Sequence, residues 1–197
     1  MEKKAALIVV DIQNDFCPGG ALGVADGDRV IAPLNRYIER CADAGLPIFA
    51  TRDWHPEKTT HFKAFGGVWP THCVQGTFGA EFHRGLKLGS SAVTVSKGMA
   101  ADADSYSAFD AVDSAGVRLA ELLRAAGVSQ IFIGGLATDY CVKQTALDGR
   151  KLGFDVVLLR DAIRGVDLAP GDSARAVVAM LDAGARVIEN VGEFTLS

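Results

Sequence analysis

The feature that most restricts the fold is a recurring junction in which a helix-like segment ends in glycine and a short β-branched apolar run follows. It reads Ala44-Gly45 before Ile48-Phe49, Ala126-Gly127 before Ile131-Phe132-Ile133, Leu152-Gly153 before Val156-Val157-Leu158-Leu159, and Ala183-Gly184 before Val187-Ile188. Glycine takes the left-handed conformation just past a helix end at little steric cost, so each junction marks a helix giving way to a strand. Leu119, Leu122, Leu123 and Ala126 fall at i, i+3, i+4 and i+7, the apolar stripe of a helix. The strands lack polar alternation, which predicts burial on both faces: an α/β three-layer sandwich, with a mainly parallel sheet of about six strands and helices on both faces. The expected strands are Ala5 to Val10, Pro47 to Arg52, Ala92 to Ser96, Gln130 to Ile133, Asp155 to Leu159 and Arg186 to Ile188. Between Trp54 and Ser91 the rhythm fails and Gly, Pro, His and aromatic residues accumulate, and long irregular connections of that kind are usually functional.

A chain of 197 residues is long enough for one sizeable core and short for two, so residues 1–197 are expected to form a single domain. A hydrophobic content of 49% with 22% charged residues argues against extensive disorder. The net charge of -4, without a Lys/Arg cluster, disfavours nucleic acid and anionic membrane as partners and favours a small-molecule substrate. After Met1-Glu2-Lys3-Lys4 the apolar stretch is cut short by Asp11, so neither a signal peptide nor a membrane span is expected. The four cysteines form no C-x-x-C pair and read as free thiols, consistent with a cytoplasmic location.

Three chemistry-bearing residues fall at carboxyl ends of expected strands, the edge where open parallel sheets bind ligands: Asp11, Lys97 and Cys141. Thr138 or Asp139 is a plausible helix N-cap, which places Cys141 in a first turn where unpaired amides and the helix dipole favour a thiolate. Lys97 then stabilises negative charge, and Asp11 takes the thiol proton and returns it to a leaving group. Gly134 and Gly135 let backbone approach a substrate, with neighbouring amides available as an oxyanion hole. Each residue also has a plainer reading. A lone cysteine is commonly a small buried hydrophobe, an isolated aspartate a turn former, and an isolated lysine a solvated surface group.

A second constellation is TRDWHPEKTTHFKAFGGVWPTHC, residues 51–73. If the strand continues to His55, Asp53 and His55 point to the same side. With His61 and His72 they make a carboxylate–imidazole set suited to one divalent metal ion, Zn, Fe(II) or Mn, against the plainer reading of loop and packing histidines. His83 is expected at the surface, and Cys73 is expected to point away from His72. Phe16, Trp69 and Tyr106 lie in loops at the ligand edge, where flat rings suit a planar aromatic substrate. No G-x-G-x-x-G, P-loop or G-x-S-x-G pattern is present.

The segments VDIQNDFCPGGAL, TRDWHPEKTTHF with VWPTHC, SKGMAADADSYSAF and GGLATDYCV resemble, in order and over nearly the whole chain, the motifs of the nicotinamidase/pyrazinamidase family of isochorismatase-like cysteine hydrolases. The resemblance implies a flavodoxin-like α/β fold and hydrolysis of nicotinamide to nicotinate and ammonia, in NAD salvage. It implies that Asp11 is the acid/base, Lys97 its catalytic partner and Cys141 the nucleophile, and that Asp53, His55, His61 and His72 ligate the metal. It further implies that Phe16, Trp69, Tyr106 and Leu136 surround the substrate ring, that Leu136-Ala137 is a cis peptide, and that the amides of Ala137 and Cys141 form the oxyanion hole. Met99-Ala100-Ala101 departs from the more polar stretch usual in the family, which bears on substrate breadth. Assembly into a homo-oligomer is compatible with the sequence. Alternatives are a metal-free cysteine amidase, a phosphoacceptor domain using Asp11, Asp53 and Lys97, and a metal-binding domain without catalysis. In the phosphoacceptor case an acidic residue would be expected beside Asp11, where Ile12 stands.

Overall fold

The computed structural model describes residues 4–195; the expectations for Met1 to Lys3, and the last two residues of the expected domain, lie outside the described residues. Six strands form one sheet: β1 (Lys4–Val10), β2 (Ile48–Asp53), β3 (Val93–Lys97), β4 (Val128–Leu136), β5 (Asp155–Arg164) and β6 (Arg186–Ile188). All neighbouring pairs are parallel and the spatial order is β3-β2-β1-β4-β5-β6. Four α-helices accompany them: α1 (Ile31–Asp43), α2 (Leu119–Ala125), α3 (Lys143–Lys151) and α4 (Asp172–Asp182).

Both faces of the sheet are buried, which is why its strands read as unbroken apolar runs. Leu7 and Val9 of β1 pack with Leu34, Tyr37 and Cys41 of α1 on one face. Ile8 and Val10 pack on the other, with Leu123 of α2, Ala146 of α3 and Met180 of α4. The glycines of the four junctions, Gly45, Gly127, Gly153 and Gly184, all have positive φ, as helix ends of this kind require.

Two strands exceed their expected length by several residues. β4 continues through Gly134 and Gly135 to Leu136, and β5 through Arg160 to Arg164. The double glycine has a packing role. A side chain at Gly135, whose φ is +136°, would land on the backbone of Val10, and one at Gly134 would meet Leu34. These glycines let β4 run close against β1 and α1. Strand order reverses direction between β1 and β4, and that switch point is where doubly wound sheets open a crevice. Among the described residues no helix is long and apolar enough to cross a membrane.

Candidate active site

Asp11 follows β1 immediately, with φ +49°, a left-handed backbone that non-glycine residues adopt sparingly and often near function. Thr51 of β2 holds its carboxylate, donating from Oγ1 to Oδ1 at 2.6 Å. Lys97 closes β3, and its ammonium reaches Asp11 Oδ2 at 3.0 Å, Asp53 Oδ1 at hydrogen-bond contact, and Cys141 Sγ at 3.5 Å. Three residues far apart in sequence thus meet beneath the switch point, Asp11 and Lys97 being only 0% and 1% exposed.

Electrostatics here are governed by burial. Desolvation works against the Lys97 charge, but Asp11 and Asp53 outweigh it and keep the ammonium protonated well above its ordinary range. Burial pushes Asp53 up, yet Lys97 and His55 overcome it and hold the carboxyl well below the usual range. For Asp11 burial prevails over Lys97 and the group is raised. Burial also drives the Cys141 thiol well above its usual value, against the pull of Lys97. The expected cap is corrected. Cys141 lies in a short π-helical segment, Thr138–Val142, whose N-cap is Ala137. The Asp139 carboxylate instead accepts from the amides of Val166 at 2.9 Å and Asp167 at 2.8 Å.

The histidines converge. One ring nitrogen from each of His55, His61 and His72 lies within 4.8 Å of the others, all three residues being buried. Each ring is anchored through Nδ1: His55 to Gly98 O at 2.9 Å, His72 to Pro70 O at 2.7 Å, and His61 to the Asp104 carboxylate. Anchoring Nδ1 fixes the tautomer and offers Nε2 to a ligand, the usual outer support of metal-binding imidazoles. His55 Nε2 is buried without a hydrogen-bond partner, and burial lowers His72 to about 4, leaving it neutral and able to donate a lone pair. Asp53 Oδ2 stands 3.7 Å from His55 Nε2. These residues fit a divalent metal ion. β2 ends at Asp53, and the chain runs on through Trp54, whose amide donates to Lys97 O at 2.9 Å, to His55, which forms a parallel bridge with Val74. Cys73 is outside this cluster; its amide donates to Asp15 at 2.7 Å. His83 is half-buried, contrary to the expected exposure, because Nδ1 accepts from the Gly85 amide at 3.1 Å.

One cavity joins the two halves. Phe16, Trp69, Tyr106 and Leu136 all line it, together with Cys141 and His61. The Trp69 indole donates to the Tyr106 hydroxyl at 2.9 Å, and Tyr140 meets Trp69 edge-on at 5.1 Å, completing an aromatic wall. Leu136-Ala137 is a cis peptide, as the family resemblance implied. Four supporting residues were not singled out from sequence. Gln13 clamps Asp53, donating to its carbonyl at 2.7 Å and accepting from its amide at 2.8 Å. Thr51, Asp104 and Tyr140 complete the set. Their polarity or aromaticity was visible, but nothing local marked which partner each would find.

Fold and site together define a class: a doubly wound α/β enzyme in which a thiol, a carboxyl and an ammonium meet at the switch point beside an imidazole cluster. The Isochorismatase domain model matches residues 5–190. The nicotinamidase of Escherichia coli is 41% identical over 91% of this chain and 92% of its own. A pyrazinamidase of Pyrococcus horikoshii, solved in complex with zinc, superposes with a TM-score of 0.88 at 47% identity, covering 94% of this chain and 99% of that one. PnC1 from L. infantum, solved with nicotinate, gives 0.83 at 39% identity over 95% and 93%. The chain belongs to the isochorismatase family, within its nicotinamidase/pyrazinamidase branch.

Proposed function

We propose that this chain is a metal-dependent cysteine amidohydrolase that converts nicotinamide to nicotinate and ammonia in NAD salvage, and that it also accepts pyrazinamide. The observation that carries the reading is the single cavity in which Cys141, backed by Asp11 and Lys97, faces an aromatic wall and a three-histidine cluster. A metal-free amidase would leave that cluster, its anchored Nδ1 atoms and the orphaned His55 Nε2 without a role.

The chemistry follows from the contacts, which gather the Cys141 thiol, the Asp11 carboxyl and the Lys97 ammonium in one buried cluster. Asp11 takes the proton from Cys141 as sulfur attacks the amide carbon, and Lys97 holds the negative charge that passes between them. The amides of Ala137 and Cys141 receive the developing oxyanion. Asp11 then gives the proton to the departing amine, ammonia leaves, and Asp11 activates the water that cleaves the thioester, releasing the acid and restoring the thiol. Phe16, Trp69, Tyr106 and Leu136 sandwich the ring so that its amide carbon faces sulfur. Asp53, His55, His61 and His72 would hold a zinc, iron or manganese ion, which when bound supplies a Lewis acid that orients the substrate ring. Four free thiols suit a reducing cytoplasm.

The test is ammonia release from nicotinamide by the wild-type chain and by Cys141→Ala. Release by the wild type alone, with fold and metal content unchanged in the variant, supports the mechanism. Turnover retained in the variant would sink it.

A further inference from the structure

The groups that the proposed mechanism uses singly also form a cage. A carboxylate oxygen from Asp11, one from Asp53 and the sulfur of Cys141 lie within 4.8 Å of one another, all buried. Asp11 is fully buried, Oδ2 included. Its contact is the Lys97 ammonium, which also touches the other two donors. Asp53 belongs to two ligand sets at once: Oδ1 faces Lys97, and Oδ2 faces His55 Nε2 at 3.7 Å. A carboxylate with one oxygen toward each of two adjoining donor sets is the geometry that bridges two ions in binuclear hydrolases. Here one of the two positions is filled by a side chain.

We propose that Asp11, Asp53 and Cys141 constitute a second, latent divalent-metal site, and that Lys97 is the tethered cation that keeps it closed. The inference relies on the proposed histidine site only for the number of ions expected; the cage itself stands on its own donors. Two carboxylates and a thiol in a dry pocket demand positive charge, and without an ammonium the strongest source available is a thiophilic divalent ion such as Zn or Cd. Binding it would form a metal–sulfur bond as the thiol proton leaves to solvent, tying up the lone pair with which sulfur attacks an amide. An ammonium supplies charge at 3.5 Å from sulfur without forming such a bond. Lys97 therefore lets a cysteine nucleophile work next to a metal centre without being captured by the metal.

The experiment titrates the full chain, stripped of metal, with cadmium ions, reading stoichiometry by calorimetry and thiolate ligation by its ultraviolet charge-transfer absorption. Wild type is expected to bind one ion without that absorption. Lys97→Met, which keeps the stem and removes the charge, is expected to bind a second ion with the absorption, and Lys97→Met/Cys141→Ser to lose both again. A Lys97→Met protein that takes no ion through sulfur overturns the proposal, as does a wild type showing absorption abolished by Cys141→Ser. If Lys97→Met is unfolded without metal, cadmium should restore its native circular dichroism but not that of the double variant; no recovery overturns it equally. Should wild type bind nothing while Lys97→Met binds one ion through sulfur, the latent site stands and the histidine site falls.

Discussion

Gly98 offers a test that separates strain from displacement. Its φ is +67°, and a Cβ built there would lie 2.5 Å from His55 Cε1 and 2.8 Å from His55 Nδ1. Carbon atoms in ordinary contact sit about 3.5 to 4.0 Å apart, so Gly98→Ala must drive the imidazole back by about 1 Å. That ring is held by the Gly98 carbonyl at 2.9 Å and flanked by His61 at 4.6 Å and Phe62 at 5.4 Å between ring centroids. It can retreat only by moving a neighbouring ring or giving up its anchor. Metal–ligand distances tolerate about 0.2 Å, several times less than the required shift. The expected result is a loss of metal affinity of at least about ten- to a hundredfold, comparable to deleting an outer-shell partner. Gly45→Ala is the control, because Gly45 has nearly the same φ, +66°, and nothing within 4 Å of its Cβ position. Both variants should lose about 1–2 kcal/mol of stability from the left-handed backbone, read by urea denaturation. Only Gly98→Ala should lose affinity in a competitive zinc titration. Unchanged zinc affinity in Gly98→Ala, or an equal loss in Gly45→Ala, would refute the reasoning.

Two further outcomes follow from the same geometry. Asp104→Asn removes the carboxylate that anchors His61 Nδ1 and should weaken zinc binding by about ten- to a hundredfold, with saturating zinc recovering ammonia release; affinity equal to wild type would contradict an orienting role. Burial holds the thiol of Cys41 up to about 12, against a slight lowering by Arg40. Its folded value exceeds its unfolded value near 9, so its contribution is complete below about pH 9 and is lost as pH rises toward 12, by about 1.4 kcal/mol per pH unit. Cys41→Ser should flatten that alkaline limb in urea midpoints measured across the window, and an unaltered limb would assign it to other groups.

Much of this molecule was legible in its sequence because the governing interactions are short-range. Glycine after a helix, β-branched runs and apolar spacing act between near neighbours, and they located all six strands and the four helix-to-strand junctions. The candidate site residues were named from strand ends, which can be read once strands are known, and the motif resemblance carries the remainder. The packing role of Gly134 and Gly135 was not legible because their partners, Leu34 and Val10, are more than ninety residues away in sequence. The expected N-cap failed for a similar reason: the Asp139 carboxylate finds better donors in the amides of Val166 and Asp167 than in its own helix.

By itself, then, the sequence determined the α/β layering, the strands and the chemical types gathered at their carboxyl ends, through local conformational preference and apolar pattern. Only the tertiary structure decided their working state. It turned three Nδ1 atoms to oxygen and brought the three imidazoles together, put one ammonium against two carboxylates and a thiol, and buried all of them. Proton affinity and ligand geometry depend on distance and desolvation across separations such as the 44 residues from Lys97 to Cys141, which no local pattern encodes.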